Sequence, residues 1–486
     1  MCRYALRMLV LLLSASTARS QAASQKATTG TSDEELARIV GYAITRGGAA
    51  QFLETLTDTI GGRITGTPEC RAAADLILNT LRQAGFDNAH FEQYEFTPGW
   101  HKGSVTGELV SPAKRALYVG TYGWVPGTPG PIEVPVADIG SVDNGLPPIP
   151  SSVRGAAVLV DLKSNALSTT YVGTRAQVAR QLAQAGAAAM MIISDKPDRM
   201  VYMSAFLFYP RGPLPVLSIA HEDATLLRRL LAKGEVKVRL NAQNSFIDQP
   251  VRERNVVADL EGSDREHMVL LTAHFDSWDP AQGANDNGVG VASVLEVARI
   301  LKSMNLQPKH TLRFVFFSGE EESDLGSKAY VARHKAELDN VWAVINTDSG
   351  AQEPLGLQLY GRKDLKAATE KVLRPAAGIG ANQMPMDVTF DSDEEAFVVV
   401  GVPTFSLAVE EGDYNARHHT IIDTYERVDP HMLGLQTAVM AVAGYGFANA
   451  DKPPGPRLSP QQVRDLFERT GVEGLYELDY PGEKPY

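Results

Sequence analysis

Cysteine is nearly absent: the 486-residue chain has two, Cys2 and Cys70. Cys2 lies in an N-terminal stretch that reads as removable, which leaves one thiol and no intrachain disulfide. Stability must then come from the core, and a chain of this length can build one. No apolar run is long enough to cross a bilayer. Positive charge is also short, with 46 Lys and Arg against 58 Asp and Glu and a net charge of −12. That excess argues against a nucleic-acid surface. The apolar and charged fractions, 44% and 21%, are those of a soluble globular protein. The length allows two or three domains.

The first 23 residues read as a secretory signal. Arg3 and Arg7 precede an apolar core from Met8 to Ala15, and small residues from Ala18 to Ala23 offer cleavage sites. The mature protein is therefore expected to be secreted or periplasmic. Losing Arg3, Arg7 and Arg19 takes the net charge from −12 to −15. Cys2 has no apolar segment before it and does not look like a lipid-attachment site. Ser24 to Ser32 is polar and small.

What the chain does have is concentrated between Leu270 and Glu322. Val269 to Thr272 is an apolar run and reads as a buried strand. His274 and Asp276 follow two apart, so in extended backbone they point the same way. His274 can give an imidazole nitrogen to a metal, and Asp276 can take the other ring N–H and fix the tautomer. Asp286 lies in a Gly- and Asn-rich turn. Val289, Val291, Val294, Leu295, Ala298 and Leu301 then predict a helix with one apolar stripe. Leu312 to Phe317 is a second buried strand, followed by Glu320 and Glu321. In such a pair one carboxylate can ligate a metal while the other takes a proton from metal-activated water. Val341 to Ile345 is a third strand with Asp348 beyond it, and Arg417-His418-His419-Thr420-Ile421-Ile422-Asp423-Thr424 comes later. A lone strand-end His is ordinarily structural, and a Glu pair is ordinarily solvated. These residue types at successive strand ends are different, because open parallel sheets build their sites there. His274, Asp286, Glu321, Asp348 and His419 are the expected ligands, with Glu320 free. Two imidazoles and three carboxylates suit zinc or a similar divalent ion. One carboxylate bridging two ions lets five side chains serve both.

The order His-x-Asp, Asn-Asp-Asn-Gly, Glu-Glu-x-x-x-Leu-Gly-Ser, Asp, His-Thr-x-x-Asp-Thr resembles the two-zinc exopeptidases, the family that includes vacuolar-type aminopeptidases and carboxypeptidase Q. The resemblance runs from about Phe52 to Ala450. It implies the zinc exopeptidase fold and two zinc ions per chain. It further implies Glu320 as general base, Glu321 as ligand, Asp286 as bridge, and His419 rather than His418 as the last ligand. Ser392-Asp393-Glu394 departs from the Ser-Asp-His usual in relatives, which puts substrate contacts near Glu394 in doubt. The run Gly62-Arg63-Ile64-Thr65-Gly66 also occurs in the family, and Arg63 reads as structural.

Residues 33–110 and 250–450 are read as the peptidase domain. Between them Gly and Pro become dense from Gly120 to Pro150. Short strands follow at Ala156 to Val160, Ala187 to Ile193 and Val216 to Ile219, with helices at about Arg175 to Ala185 and Thr225 to Ala232. Residues 111–245 are therefore read as an inserted unit, which resembles the protease-associated domain carried there by relatives. None of its residues forms a chemical constellation, so it is either a lid or a structural insertion. The fold class is α/β, a mixed, largely parallel sheet with helices on both faces plus that insert. Pro375 to Phe397 reads as a Gly- and Met-containing acidic loop, with Glu394 and Glu395 at the surface and Asp393 a candidate either to support a metal ligand or to contact substrate. Tyr414 is a candidate oxyanion donor, set against a structural tyrosine. Thr420, Asp423 and Thr424 are read as orienting the His419 loop. Residues 451–486 hold a Pro-rich linker, a helix opened by the capping box Ser459-Pro460-Gln461-Gln462, and a Tyr-rich tail. That tail packs on the body or on a partner, which leaves a homodimer open.

The expected substrate is a peptide cut at a terminal bond. A free amine favours a nearby carboxylate, and a free carboxylate favours Arg or Lys. Asp393, Glu394, Glu410 and Glu411 outnumber Arg417, so short peptides or dipeptides with a free N-terminus are expected. A strict carboxypeptidase is the alternative. A one-metal glutaminyl cyclase and a non-catalytic receptor share the fold. A metal count, a pyroglutamate assay and the absence of hydrolysis would separate them.

Overall fold

The computed structural model describes residues 33–143, 147–162, 169–206 and 211–480. The expected signal, the stretch to Ser32 and the residues beyond Tyr480 lie outside them. The main sheet has seven strands, in spatial order His90–Phe96, Val251–Leu260, His310–Phe317, Asp264–His274, Val341–Asn346, Thr404–Val409 and Pro354–Gln358. The four strands from His310–Phe317 to Thr404–Val409 run parallel. The three outer pairings are antiparallel. The sheet is therefore mixed, as expected.

The apolar runs work as central strands because both faces are covered. Val269, Leu271 and Ala273 face a core shared with helices Asp33–Arg46, Pro68–Gln83, Val289–Ser303 and Pro430–Ala448. Met268 and Leu270 point the other way, to Tyr330, Leu338, Phe397 and Val400. The helix Val289–Ser303 departs from the single expected stripe. It is buried on nearly every side, Ser293 and Glu296 included, because helices Ala49–Thr59 and Pro430–Ala448 pack over it.

A second, eight-stranded sheet is built wholly from strands between Val105 and Ala242. It has its own apolar cores on the two faces. Where the chain leaves and re-enters the main body, Gly99–His101 pairs with Ser245–Ile247. Trp100 stacks on Trp124 at 5.6 Å, and Trp124 meets Trp278 edge-on at 6.3 Å. Trp278 follows the His274 motif directly, so this apolar neck joins the second sheet to the strand ends of the first.

The capping box forms at Ser459 and Gln462 and opens helix Pro460–Thr470. Tyr476 and Tyr480 pack on the body with Phe390, Leu466 and Phe467. No helix among the described residues is long and apolar enough to cross a membrane.

Candidate metal centre

The parallel strands end level. His274 pairs with Phe317, and Thr272 pairs with Asn346. Glu320, Glu321 and Asp348 therefore emerge beside the fully buried His274. Asp286 sits where the chain enters helix Val289–Ser303, with φ −117° and ψ 97°. His274 Nε2 lies 3.4 Å from Asp286 Oδ1, 3.4 Å from Asp348 Oδ1 and 3.8 Å from Glu320 Oε2. On the other side His419 Nε2 lies 3.1 Å from Asp286 Oδ2 and 3.0 Å from Glu321 Oε2. Asp286 thus turns one oxygen to each group. His418 Nε2 is 3.3 Å from the same Asp286 oxygen. Its ring stacks on His419 at 3.7 Å.

The residues around these groups hold them in place. Asp276 Oδ1 is 3.5 Å from His274 Nδ1, and its Oδ2 accepts from Thr65 Oγ1 at 2.8 Å. Buried Arg63 donates to the carbonyls of Gly61, Phe275, Gln282 and Gly283, tying both ends of the loop between His274 and Asp286. Arg63 is structural, as read from sequence. Asp423 Oδ1 accepts from Asn285 N at 2.7 Å, and Oδ2 accepts from Asp286 N at 3.2 Å. Asp423 therefore fixes the Asp286 turn as well as its own loop. Asn287 donates to the Thr347 carbonyl at 2.8 Å, linking that turn to the Asp348 strand end.

Four carboxylates, largely buried, converge here on two or three imidazoles. Burial and the charge of Asp348 push Glu320 well above the usual carboxylate range. Burial and Asp286 do the same to Glu321. Burial lowers His274, but Glu320 and Asp348 outweigh it and hold the ring well above its ordinary value. Asp286 is held well below its usual value despite burial, through His274, His418 and His419. Both ring nitrogens of His274, Glu321 Oε1, Asp348 Oδ1 and His419 Nδ1 are buried without a hydrogen-bond partner. Leaving such atoms unsatisfied is costly. Divalent ions would relieve the repulsion and give partners to His274 Nε2 and Asp348 Oδ1, and this nitrogen and oxygen donor set fits zinc-class metals.

A cavity of about 210 Å³ opens onto the centre. Tyr202, Ser204 and Ala205 of the second sheet's connections line it alongside Asp286, Glu320, Asp348, Tyr414 and His419. The Tyr202 ring lies 5.3 Å from that of His419, and Met203 N donates to the His419 carbonyl at 3.1 Å. Lys196 donates to the Asn415 carbonyl. Sequence reasoning missed this wall, because nothing in Tyr202-Met203-Ser204-Ala205 signals chemistry. Tyr414 is half-buried at the cavity, its ring 5.2 Å from that of His418.

Two expectations for the acidic loop are corrected. Glu394 and Glu395 are 2% and 1% exposed rather than solvated. Asn346 donates to Glu394 at 2.8 Å. Burial and Asp391 push the Glu394 carboxyl up to about 8. Glu395, in the short helix Glu395–Val399 rather than a loop, pairs with Lys328 at 3.3 Å. Asp393 is fully buried and does not line the cavity, whereas Asp391 and Glu395 do.

The sequence profile of peptidase family M28 matches residues 255–443. Carboxypeptidase Q from Mus musculus is 30% identical over 412 residues, which span 82% of this chain and 85% of that protein. The chain belongs to peptidase family M28. This M28 chain is accordingly a metallo-exopeptidase, a hydrolase. The crystal structure of a peptidase M28 precursor from Shewanella amazonensis SB2B superposes on it with a TM-score of 0.78 at 25% identity, over 88% of this chain and 100% of that one. BSAP, a zinc aminopeptidase from Bacillus subtilis, shares the fold with a TM-score of 0.63 at 22% identity, over 82% of this chain and 93% of that one.

Proposed function

We propose that this M28 chain removes terminal residues from short peptides or dipeptides that carry a free N-terminus, using two zinc ions. His274 and Asp348 would hold one ion, Glu321 and His419 the other, and Asp286 both. The observation that carries the reading is the division of the Asp286 carboxylate, Oδ1 toward His274 and Oδ2 toward His419. When bound, such ions polarise a carbonyl and lower the pKa of water.

The chain's own residues supply the rest. Glu320 reaches the cavity and, at 3.8 Å, is the most distant of the carboxylates around His274 Nε2, and we assign it as the base that takes the water proton and returns it to the leaving amine. Asp276 orients His274. Tyr414 lines the cavity and would donate to the developing oxyanion. The region Val105–Ala242 acts as a lid of the protease-associated type, since it walls the cavity with Tyr202, Ser204 and Ala205. Secretion or periplasmic export through residues 1–23 completes the reading.

The free amine is favoured by charge. Among the described residues lining the cavity none is Lys or Arg, while Asp324, Asp391 and Glu395 stand there beyond Glu320 and four of the five proposed ligands, Asp286, Glu321, Asp348 and His419. Lys328, behind the wall, offsets Glu395 and Asp324 only in part. Arg417, the cation weighed in the sequence, turns instead to the Arg427 carbonyl and Asp413. Dipeptides free or blocked at each end, assayed with zinc, test this. Cleavage is expected only where the N-terminus is free. Rapid cleavage of an N-acetylated dipeptide would make the enzyme a strict carboxypeptidase.

A further inference from the structure

Asp264, His267 and His310 cluster at the opposite end of the sheet. Asp264 opens the strand that ends at His274, and His310 opens its neighbour and pairs with Asp264 in register. The neighbouring strand covers the same span in seven steps, from His310 to Phe317, which puts this cluster roughly 23 Å from the centre. His267 Nδ1 lies 2.7 Å from Asp264 Oδ2, and His310 Nδ1 lies 3.0 Å from the same oxygen. Asp264 Oδ1 is engaged by the Glu266 N–H at 2.9 Å.

The tautomer of His310 follows from its other nitrogen. Nε2 lies 3.0 Å from the Ala450 carbonyl, which can only accept, so Nε2 carries the proton. In the neutral ring Nδ1 then presents a lone pair to an anionic oxygen. That contact is repulsive unless positive charge lies between them. A ligating histidine ordinarily donates its second N–H to a carbonyl or carboxylate, and His310 already does. His310 is 2% exposed and Trp342 covers its ring at 3.9 Å, while Asp264 and His267 are half-buried and leave one side open.

We infer that Asp264, His267 and His310 form a second, non-catalytic site for a divalent transition ion of the zinc, nickel or copper class, with water completing the coordination. Two imidazoles and one carboxylate suit that class. Through the Ala450 carbonyl such an ion ties the starts of two central strands to the chain leaving helix Pro430–Ala448. The competing occupant of the same position is a proton on His310.

Chelator-stripped full-length protein is titrated with zinc, and bound ions are counted at equilibrium. The wild type is expected to hold one ion more per chain than either His267→Ala or Asp264→Asn, with hydrolysis unchanged in both. In parallel, nickel is expected to quench the Trp342 emission, identified with Trp342→Phe, in the wild type and not in Asp264→Asn. Equal ion counts in wild type and variants, with no difference in quenching, would overturn the site and leave a protonated ion pair in its place.

Discussion

In the proposed centre Asp286 is the residue on which both ions would depend. Its two oxygens face separate donor groups, and its N–H is held by Asp423. Asp286→Ala should therefore disturb both ions, whereas His274→Ala or His419→Ala should each weaken one. Metal analysis of the purified variants checks this, and full occupancy of both ions in Asp286→Ala would refute the shared role. The residues at strand ends were legible in sequence because an apolar run marks each strand and the polar residue after it marks the end. The burial of Glu394 and Glu395 was not legible. A carboxylate satisfied by Asn346 or Lys328 looks the same in sequence as one satisfied by water, and those partners are remote along the chain. Asp423 was assigned to its own loop for the same reason.

Among the elements, the central strands and the long helices were legible from their apolar patterns. Most strands of the second sheet were not. Ile132–Ser141 is the longest of them and alternates only weakly, with half-exposed residues and Pro135 within it. Such strands are recognisable chiefly by what they pair with. The connection holding Tyr202 lies beside the centre through its bonds to the His419 segment, which no local pattern announces. Tyr202→Ala should lower kcat/KM by up to about tenfold, the size of one lost aromatic contact, through a raised KM and without loss of ions. Tyr202→Phe should stay near wild type. An unchanged kcat/KM in Tyr202→Ala would make the wall purely structural.

At the scale of the molecule, two sheets meet at the neck of Trp100, Trp124 and Trp278, and buried charge is concentrated near that junction. Glu253 is 1% exposed and burial pushes its carboxyl up to about 7 from an ordinary 4.5, against hydrogen bonds from Gly66 and Arg254 N–H. The folded state binds this proton more tightly than the unfolded state does. Its ionisation therefore costs nothing below the unfolded value. The cost grows between the two values and is complete above the folded one, at about 3 kcal/mol. Glu253→Gln removes that cost, so its melting temperature relative to wild type should rise from about pH 5 to about pH 8. An equal difference at both pH values would show that burial does not raise the Glu253 carboxyl above its unfolded value. The proposed mechanism needs a proton-accepting carboxylate beside two bound zinc ions, and Glu320→Gln measured for zinc content and turnover on one sample tests it most directly. It predicts two zinc ions retained and turnover lowered roughly a hundredfold or more. Zinc lost along with turnover would exchange the roles of Glu320 and Glu321, and unchanged turnover with zinc retained would contradict the account.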